Sequence, residues 1–362
     1  MSGSGNVALS QAPQDTPLLS VVIPAYNQAA FLRETLESVL QQADDAVEVI
    51  VINDGSTDAT LDVVAGFSGR VRCVTQPNAG LAAARNRGHR EARGEFIAWL
   101  DSDDLCEPGR LALQIEVLRR YPEVGLVSCG FSAFNADGLI SPSFAAHYYG
   151  QIGRSGLRAL YGLADTVEAV AGIQRLSAPV YRGKVYPAIA YGNFVHPPTV
   201  MMRREVWSVT GELDKDFPSA ADWEFFVRAS RKFCFAYLDY PLLRYRLSAG
   251  QMSSMSNALR HVPREMLMFE RMLAADPALG ADASRVRKLY RGWYFTMASA
   301  AADTSRWLAM KYLIYSLYYG CQISLFLRTA VKLALPAALV RWLQGARRGL
   351  AGSHGEQSPS GR

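Results

Sequence analysis

The feature that most constrains this chain is the alternation of two hydrophobic periods over its first hundred residues. Leu19 to Ala25, Val47 to Ile52, Val71 to Thr75 and Glu95 to Leu100 are short apolar runs. Such runs have the length and β-branched content of buried strands. Between them Ala30 to Gln41, Thr57 to Phe67 and Gly80 to Ala92 carry apolar or small residues at helical spacing, with Ser56 or Thr57 read as the N-cap of the middle helix. Repeated strand–helix units predict an α/β fold with a parallel sheet flanked by helices. Ligands of such sheets sit outside the carboxyl ends of the strands, where strand order reverses. The polar clusters of this chain stand there: Tyr26-Asn27 follows the first strand, Asn53-Asp54-Gly55 the second and Asp101-Ser102-Asp103-Asp104 the fourth.

Beyond Pro122 the pattern is less regular. Gly125 to Phe131, Thr199 to Met202 and Phe235 to Leu238 read as short strands, and Phe144 to Tyr191 as loops and short helices over the sheet. From Asn257 to Trp342 the chain reads as helical. The expected division is 1–16 disordered, 17–250 an α/β domain, 251–348 a helical, basic amphipathic region and 349–362 a disordered tail. At 362 residues the chain has room for one large domain and an appendage.

The net charge of +5 is unevenly spread. From Arg285 to the end there are 12 Lys/Arg and 2 Asp/Glu, a net of +10, and the preceding 284 residues then carry −5. The basic character belongs to the tail, there is no zinc-finger spacing or aromatic RNA-binding signature, and no nucleic-acid partner is expected. Five scattered cysteines without CxxC spacing, and a start lacking a basic-then-apolar leader, point to a reduced, cytoplasmic setting.

Asp101-x-Asp103 places carboxylates on a tight turn just past a strand, a pattern suited to one hard cation. Mg²⁺ or Mn²⁺ often takes only one or two protein carboxylates, with phosphate oxygens completing its shell, and such an ion stabilises a departing nucleoside diphosphate. A solvated acidic turn is the plain alternative. Asp54 sits too early to cap the next helix and is suited to accept from a base imide or a ribose hydroxyl. Arg85, on a helix of small residues, either meets a nucleotide, braces the acidic turn or is a surface residue. Sugar transfer by single displacement needs a carboxylate to take the acceptor's proton. Asp222 is the candidate, ahead of Glu224, with capping of the helix Trp223 to Ser230 as the alternative.

Taken in order, Val21-Val22-Ile23-Pro24-Ala25-Tyr26-Asn27, Asn53-Asp54-Gly55-Ser56-Thr57-Asp58, Asn78-Ala79-Gly80 through Ala84-Arg85-Asn86, Asp101-Ser102-Asp103-Asp104 and Ala221-Asp222-Trp223 resemble glycosyltransferase family 2, over roughly Leu19 to Arg246. The resemblance implies a GT-A fold, with a Rossmann-like central sheet, and an inverting transfer from a nucleotide-sugar donor, with a uridine nucleotide as the family's usual choice. It implies a glycan or lipid-linked acceptor in surface polysaccharide or glycolipid assembly. It also implies that Asp54 contacts the nucleobase, Asp101 the sugar or ribose, Asp103 the metal diphosphate, and that Asp222 is the base, with Pro24, Tyr26 and Arg85 bordering the nucleotide. Three positions depart from the family pattern. Asn53 replaces the first Asp of its turn, Ala221 a helper Glu, and Leu247-Ser248 stands where a His often holds the diphosphate, leaving phosphate contact to Arg246, Gln251 or Ser253.

A nucleotidyltransferase would place a Gly-rich basic loop where Pro24-Ala25-Tyr26-Asn27 stands. A degenerate binding module would have no need of Asp54, Asp101, Asp103 and Asp222. Trp307 to Trp342 is apolar but interrupted by Lys311, Arg328, Lys332 and Arg341, and its longest uncharged stretch, Tyr312 to Leu327, is 16 residues, short of the roughly 20 that span a bilayer. It reads as a basic amphipathic region suited to peripheral contact with the inner face of the plasma membrane, or as a helical packing or subunit contact. Oligomeric state stays open.

Overall fold

A computed structural model of the chain describes residues 16–217, 219–248, 257–302, 304–320 and 326–327. The chain divides into two compact units, Met1–Gln251 and Met252–Arg362. The first opens with β1 (Leu19–Ala25), α1 (Leu32–Leu40), β2 (Val47–Asn53), α2 (Thr60–Ala65), β3 (Val71–Thr75), α3 (Leu81–Glu91) and β4 (Phe96–Trp99). Every residue of β1 is buried, as expected of a strand covered on both faces. Its second half contains β5 (Leu105–Cys106), α4 (Arg110–Arg120), β6 (Val124–Asn135), β7 (Gly138–Ser141), α5 (Ala145–Tyr148), α6 (Gly150–Ser155), α7 (Leu157–Tyr161), β8 (Leu163–Ala171), β9 (Gln174–Gly183), β10 (Met201–Arg203), α8 (Arg204–Thr210), α9 (Ala221–Ser230) and β11 (Cys234–Arg246).

All the strands join one sheet in the order β3-β2-β1-β4-β10-β6-β11-β9-β8, with β5 added on β11 and β7 on β6. The first four are parallel. β10 then runs antiparallel to both β4 and β6, while β6 and β11 are parallel to each other. The sheet is therefore the mixed α/β sheet with flanking helices of the GT-A class, and its strand order reverses between β1 and β4. Tyr26, Asp54 and Asp101 follow the carboxyl ends of β1, β2 and β4, next to that switch point.

Three local readings change. The helix expected from Thr57 begins at Thr60, and neither Ser56 nor Thr57 caps it, because both are used by the neighbouring turn described below. The expected loops between Phe144 and Tyr191 include a nine- and ten-residue hairpin, β8–β9, joined by the two residues Gly172-Ile173. Gly172 has φ +59°, the positive value needed at the first position of a type II′ turn. Most β8 residues are exposed, so the strand lacks the apolar alternation that marks a half-buried one. The short strand expected at Phe235 to Leu238 extends to Arg246. The pairing of β11 with β6 shifts register on both sides of Pro241, and such a bulge tolerates a residue with no N–H.

The second unit contains α10 (Ala258–Ala275), α11 (Ala283–Ala301) and α12 (Arg306–Tyr318). Asp282 caps α11 by accepting from Arg285 N at 3.0 Å, and Ser305 caps α12 by accepting from Leu308 N at 3.3 Å. Ala298 and Ala301 pack against Ala309 and Leu313 in its core. No helix among the described residues is long and apolar enough to cross a membrane. Arg328, Lys332, Arg341, Gln251, Ser253 and both chain ends lie outside the described residues.

Candidate active site

The turn after β1 is stitched to the turn after β2. Asn27 adopts φ +53°, which a short polar side chain tolerates. Its Oδ1 accepts from Thr57 N at 2.8 Å, and its N–H donates to Ser56 Oγ at 3.0 Å. Asp58 Oδ2 accepts from Ala29 N at 3.1 Å, and Thr60 Oγ1 from Gln28 N at 2.8 Å. The residues that sequence reading assigned to a helix cap instead fix the rim on which Tyr26 stands exposed. Pro24 lies buried within β1, beyond Val22, its last residue paired with β4.

Asp54 is buried. Its Oδ1 accepts from Gln76 Nε2 at 2.7 Å and Ala79 N at 3.0 Å, and its Oδ2 from Gly80 N at 2.8 Å. A carboxylate offers about four acceptor directions, and with three of them filled Asp54 holds the entry to α3. Gly55, φ +74°, is confined here, since a Cβ would lie 2.7 Å from Asn78 N.

Arg85, buried on α3, donates from Nη2 to Asp101 Oδ1 at 2.6 Å. Its guanidinium lies 4.9 Å from the Trp99 ring. Of the three readings offered by the sequence, bracing of the acidic turn is the one this contact realises. Thr35 Oγ1 holds the same turn through Ser102 O at 3.0 Å. Burial and the neighbouring Asp101 push the Asp103 carboxyl up to about 6. Asp104 is raised well above the usual range by burial and by both neighbouring carboxyls. Its Oδ1 accepts from Arg246 N at 3.0 Å, and its buried Oδ2 has no partner among the described residues. Arg246 closes the far side, donating from Nε to Asp103 O at 2.8 Å and from Nη2 to Glu34 Oε2 at 2.6 Å, with Phe31 and Phe134 against its guanidinium.

This turn has the chemistry of a hard-cation site. Burial and mutual repulsion raise the Asp103 and Asp104 carboxyls despite the nearby Arg246 and Arg110, and Asp103 and Asp101 are partly accessible. No group of three or more His, Cys, Asp or Glu among the described residues is placed to hold a metal. Asp101 and Asp103 are the carboxylates that could hold an ion of the kind that takes few protein ligands and completes its shell with phosphate oxygens and water.

Asp222 lies in the first turn of α9, whose N-cap is Ala220. Its Oδ1 accepts from the adjacent Trp223 N at 2.8 Å, and Trp223 Nε1 anchors the helix by donating to Ile189 O at 2.7 Å. Burial raises the Asp222 carboxyl, the nearby Arg85 opposes this, and Asp101 adds to it. Asp222, Arg85 and Asp101 thus share one electrostatic neighbourhood although Asp222 and Arg85 are 137 positions apart in the sequence. Both oxygens of the rival Glu224 are engaged by Arg228, at 2.6 and 2.8 Å. Ala221, buried, supplies no carboxylate beside Asp222. Leu247 N is tied to Phe134 O at 2.8 Å.

Sequence reading assigned no role to Tyr149 or His196. The Tyr149 hydroxyl lies 3.0 Å from His196 Nδ1. The His196 ring stacks on Phe131 at 4.2 Å and meets Tyr245 edge-on at 4.8 Å. Burial, with Arg85 and Arg110 nearby, lowers His196 to about 3, so it is neutral near pH 7. Burial raises the Tyr149 hydroxyl well above its ordinary value, and the charges of Asp222 and Asp101 add to this, so the aromatic group lies within electrostatic reach of those carboxyls. No spacing rule could have found it, because its members come from four separate segments.

Residues 20–167 match the family model described as "Glycosyl transferase family 2". A putative glycosyltransferase, EpsH, of Bacillus subtilis is 38% identical over 139 residues, which is 37% of this chain and 40% of that protein. An uncharacterized glycosyltransferase of Haemophilus influenzae is 27% identical, covering 67% of this chain and 70% of that one. The matches to EpsH and to two Rickettsia proteins span only about two fifths of those relatives' lengths, 40%, 37% and 37%. A crystallised mannosyltransferase of Pyrobaculum calidifontis, in complex with GDP-Man and Mn²⁺, superposes with a TM-score of 0.54 at 18% identity, over 91% of this chain and 84% of that one. At that identity the superposition speaks for the fold.

Proposed function

We propose that this chain, whose residues 20–167 match the family model of glycosyl transferase family 2, is an inverting glycosyltransferase that moves a sugar from a nucleoside-diphosphate donor, a UDP-sugar in the first instance, to a hydroxyl of a glycan or lipid-linked acceptor. The observation that carries this reading is the convergence of Asp222, from the irregular half of the domain, on the Arg85–Asp101 ion pair of the regular half.

Asp54 receives the nucleobase through its remaining acceptor direction, with Tyr26 as a wall above it and Pro24 setting the floor from within β1. Arg85 holds Asp101 in one orientation, ready to accept from a donor sugar or ribose hydroxyl. Asp103 supplies the carboxylate for a divalent cation, Mn²⁺ or Mg²⁺, which when bound neutralises charge on the departing diphosphate. Arg246 keeps the acidic turn closed from the other side and lends positive charge to the phosphates. Asp222 takes the proton from the acceptor hydroxyl as it attacks. Its raised affinity for a proton makes it a stronger base than a solvated carboxylate. The setting of the reaction is assembly of a surface polysaccharide or glycolipid, with the enzyme at the cytoplasmic face of the membrane.

Calorimetric titration of UDP, dTDP and GDP, each with and without Mn²⁺, into wild type and Asp103→Ala tests the donor half. The reading expects one nucleotide to bind in a metal-dependent way and the variant to lose that dependence. A folded wild type that binds none of them would leave a degenerate partner-binding module in its place.

A further inference from the structure

α12 is apolar on two opposite sides. At about 100° per residue, Ala309, Leu313 and Ser316 lie on one side, and all three are fully buried in the second unit. Trp307, Lys311, Ile314 and Tyr318 fall within about 60° of each other on the opposite side. Trp307 is 75%, Ile314 53% and Tyr318 82% exposed. Lys311 Nζ lies 5.8 Å from the Trp307 ring and 6.0 Å from the Tyr315 ring, so cation and aromatics form one patch. A helix apolar on both sides needs a second apolar environment.

Charge identifies that environment. α11 and α12 together carry Arg285, Arg287, Lys288, Arg291, Arg306 and Lys311, and neither helix contains an acidic residue. Asp282, at the start of α11, is paired with Arg285, and Asp303 follows α11 in sequence. Arg287, Lys288, Arg306 and Lys311 are exposed. The two helices form an antiparallel hairpin: Tyr294 lies 5.1 Å from Tyr315, Ser316 Oγ donates to Arg291 O at 3.1 Å, and Arg291 Nη1 donates to Gly320 O at 3.0 Å. Exposed Trp and Tyr among Lys and Arg match the boundary between headgroups and acyl chains, where an amphipathic ring keeps its polar edge in water. With 13 residues at about 1.5 Å each, α12 is about 20 Å long, short of the ~30 Å hydrocarbon core. It can lie in the interface but not span it.

We infer that the α11–α12 hairpin seats on an anionic lipid surface through the Trp307, Ile314 and Tyr318 face of α12, with Lys311 and the exposed basic residues on lipid phosphates. This deepens the proposed lipid-linked acceptor and rests on that reading for its use, while its test is read without any sugar transfer. The full chain is floated with phosphatidylcholine vesicles and with equal mixtures of phosphatidylcholine and phosphatidylglycerol at low salt. It should partition at least ~10-fold more strongly onto the anionic vesicles, and be released in about 0.5 M salt, where screening is nearly complete within ~4 Å. Trp307→Ser/Tyr318→Ser should lower partitioning ~10-fold or more through lost interfacial burial, with an unchanged thermal transition. If that variant unfolds, Arg287→Glu/Lys288→Glu/Lys311→Glu, built only on exposed positions, should abolish preference for the anionic vesicles. No flotation, equal binding to both vesicle types, or variants that bind like wild type would overturn the inference. So would a concentration-dependent dimer that the double serine variant dissolves while vesicles are ignored, which would assign the face to a second copy. Nucleotide titration on the same preparations separates loss of this surface from failure of the transferase reading.

Discussion

The two halves of the α/β unit solve the same problem differently. From β1 to β4 each strand hands the chain to a helix, and the polar turns at the strand ends collect at one edge because a parallel sheet aligns its carboxyl ends. From β6 to β11 strands run both ways, a hairpin extends the sheet, and the key residues come from segments far apart in sequence. The first half presents Asp54, Arg85, Asp101 and Asp103 as a set fixed by local order. The second half delivers Asp222, Tyr149, His196 and Arg246, brought in singly by tertiary packing. On the proposed reading, the comparison teaches that the donor half of the site is a property of a repeating unit, whereas the half that would activate the attacking group has to be assembled.

If that division is right, its largest consequence is at Asp222. Asp222→Asn removes the base and should lower kcat by about 10³-fold, in the range expected for general base catalysis, while nucleotide affinity measured by calorimetry stays within about twofold, since under 0.5 kcal/mol is at stake. Loss of nucleotide binding along with turnover would erase the distinction between the halves.

The wild-type acid limb should follow from the same residue. A base works deprotonated, and burial raises the Asp222 carboxyl above its usual value. Turnover should therefore decline with falling pH through a midpoint above the ~3.9 of an ordinary aspartate. For stability the sign is opposite: a group with a raised folded-state pKa stabilises below its unfolded value and loses that contribution as pH rises through the folded one. A turnover midpoint at or below the ordinary value would remove the proton-transfer role.

Arg85→Met probes the first half. It leaves Asp101 without its 2.6 Å partner. Breaking a buried pair costs about 3–5 kcal/mol, and because the Asp101 side chain is 29% exposed the loss should fall toward ~3 kcal/mol, with a matching drop in the urea midpoint and weakened donor binding. An unchanged midpoint would mean that water replaces the guanidinium.

Tyr149→Phe sharpens the second half. It removes the hydroxyl from His196 Nδ1 while keeping the ring, at a cost of about 1 kcal/mol. If the pair only supports the floor, stability falls and the pH–rate profile keeps its shape. A displaced acid limb would show that it also tunes Asp222.

The smallest effect on the candidate site is expected at Gly172→Val. A β-branched residue forced to φ +59° costs about 1–2 kcal/mol. It should lower stability without touching nucleotide affinity, because the hairpin belongs to the assembled half.

Much of the site was legible beforehand, and for a physical reason. In a parallel sheet the residues after each strand must meet, so Tyr26, Asp54 and Asp101 were readable from order alone. Arg85 was left among three roles, and only the Asp101 contact chose between them. Ser56 and Thr57 read as a helix cap because a short polar side chain can cap a helix or tie two turns with the same atoms, and here they tie the turns. The β8–β9 hairpin escaped notice because most of β8 is exposed and carries no alternation, while its pairing with β9 is a backbone matter. The Glu34–Arg246 ion pair, 212 residues apart, has no sequence signal at all.

The sequence by itself determined the strand–helix repeat, the edge at which ligands gather, and the acidic turn that closes it, since all three follow from contacts within a few tens of residues. Only the tertiary structure decided which carboxylate of Asp222 and Glu224 stays available, that Arg85 braces Asp101, that Arg246 is spoken for by Glu34 and the Asp103 carbonyl, and that the aromatic group of Tyr149 and His196 lies within electrostatic reach of the carboxyls. Those outcomes depend on distances between segments the chain brings together only when its core closes, and a linear pattern carries no information about them.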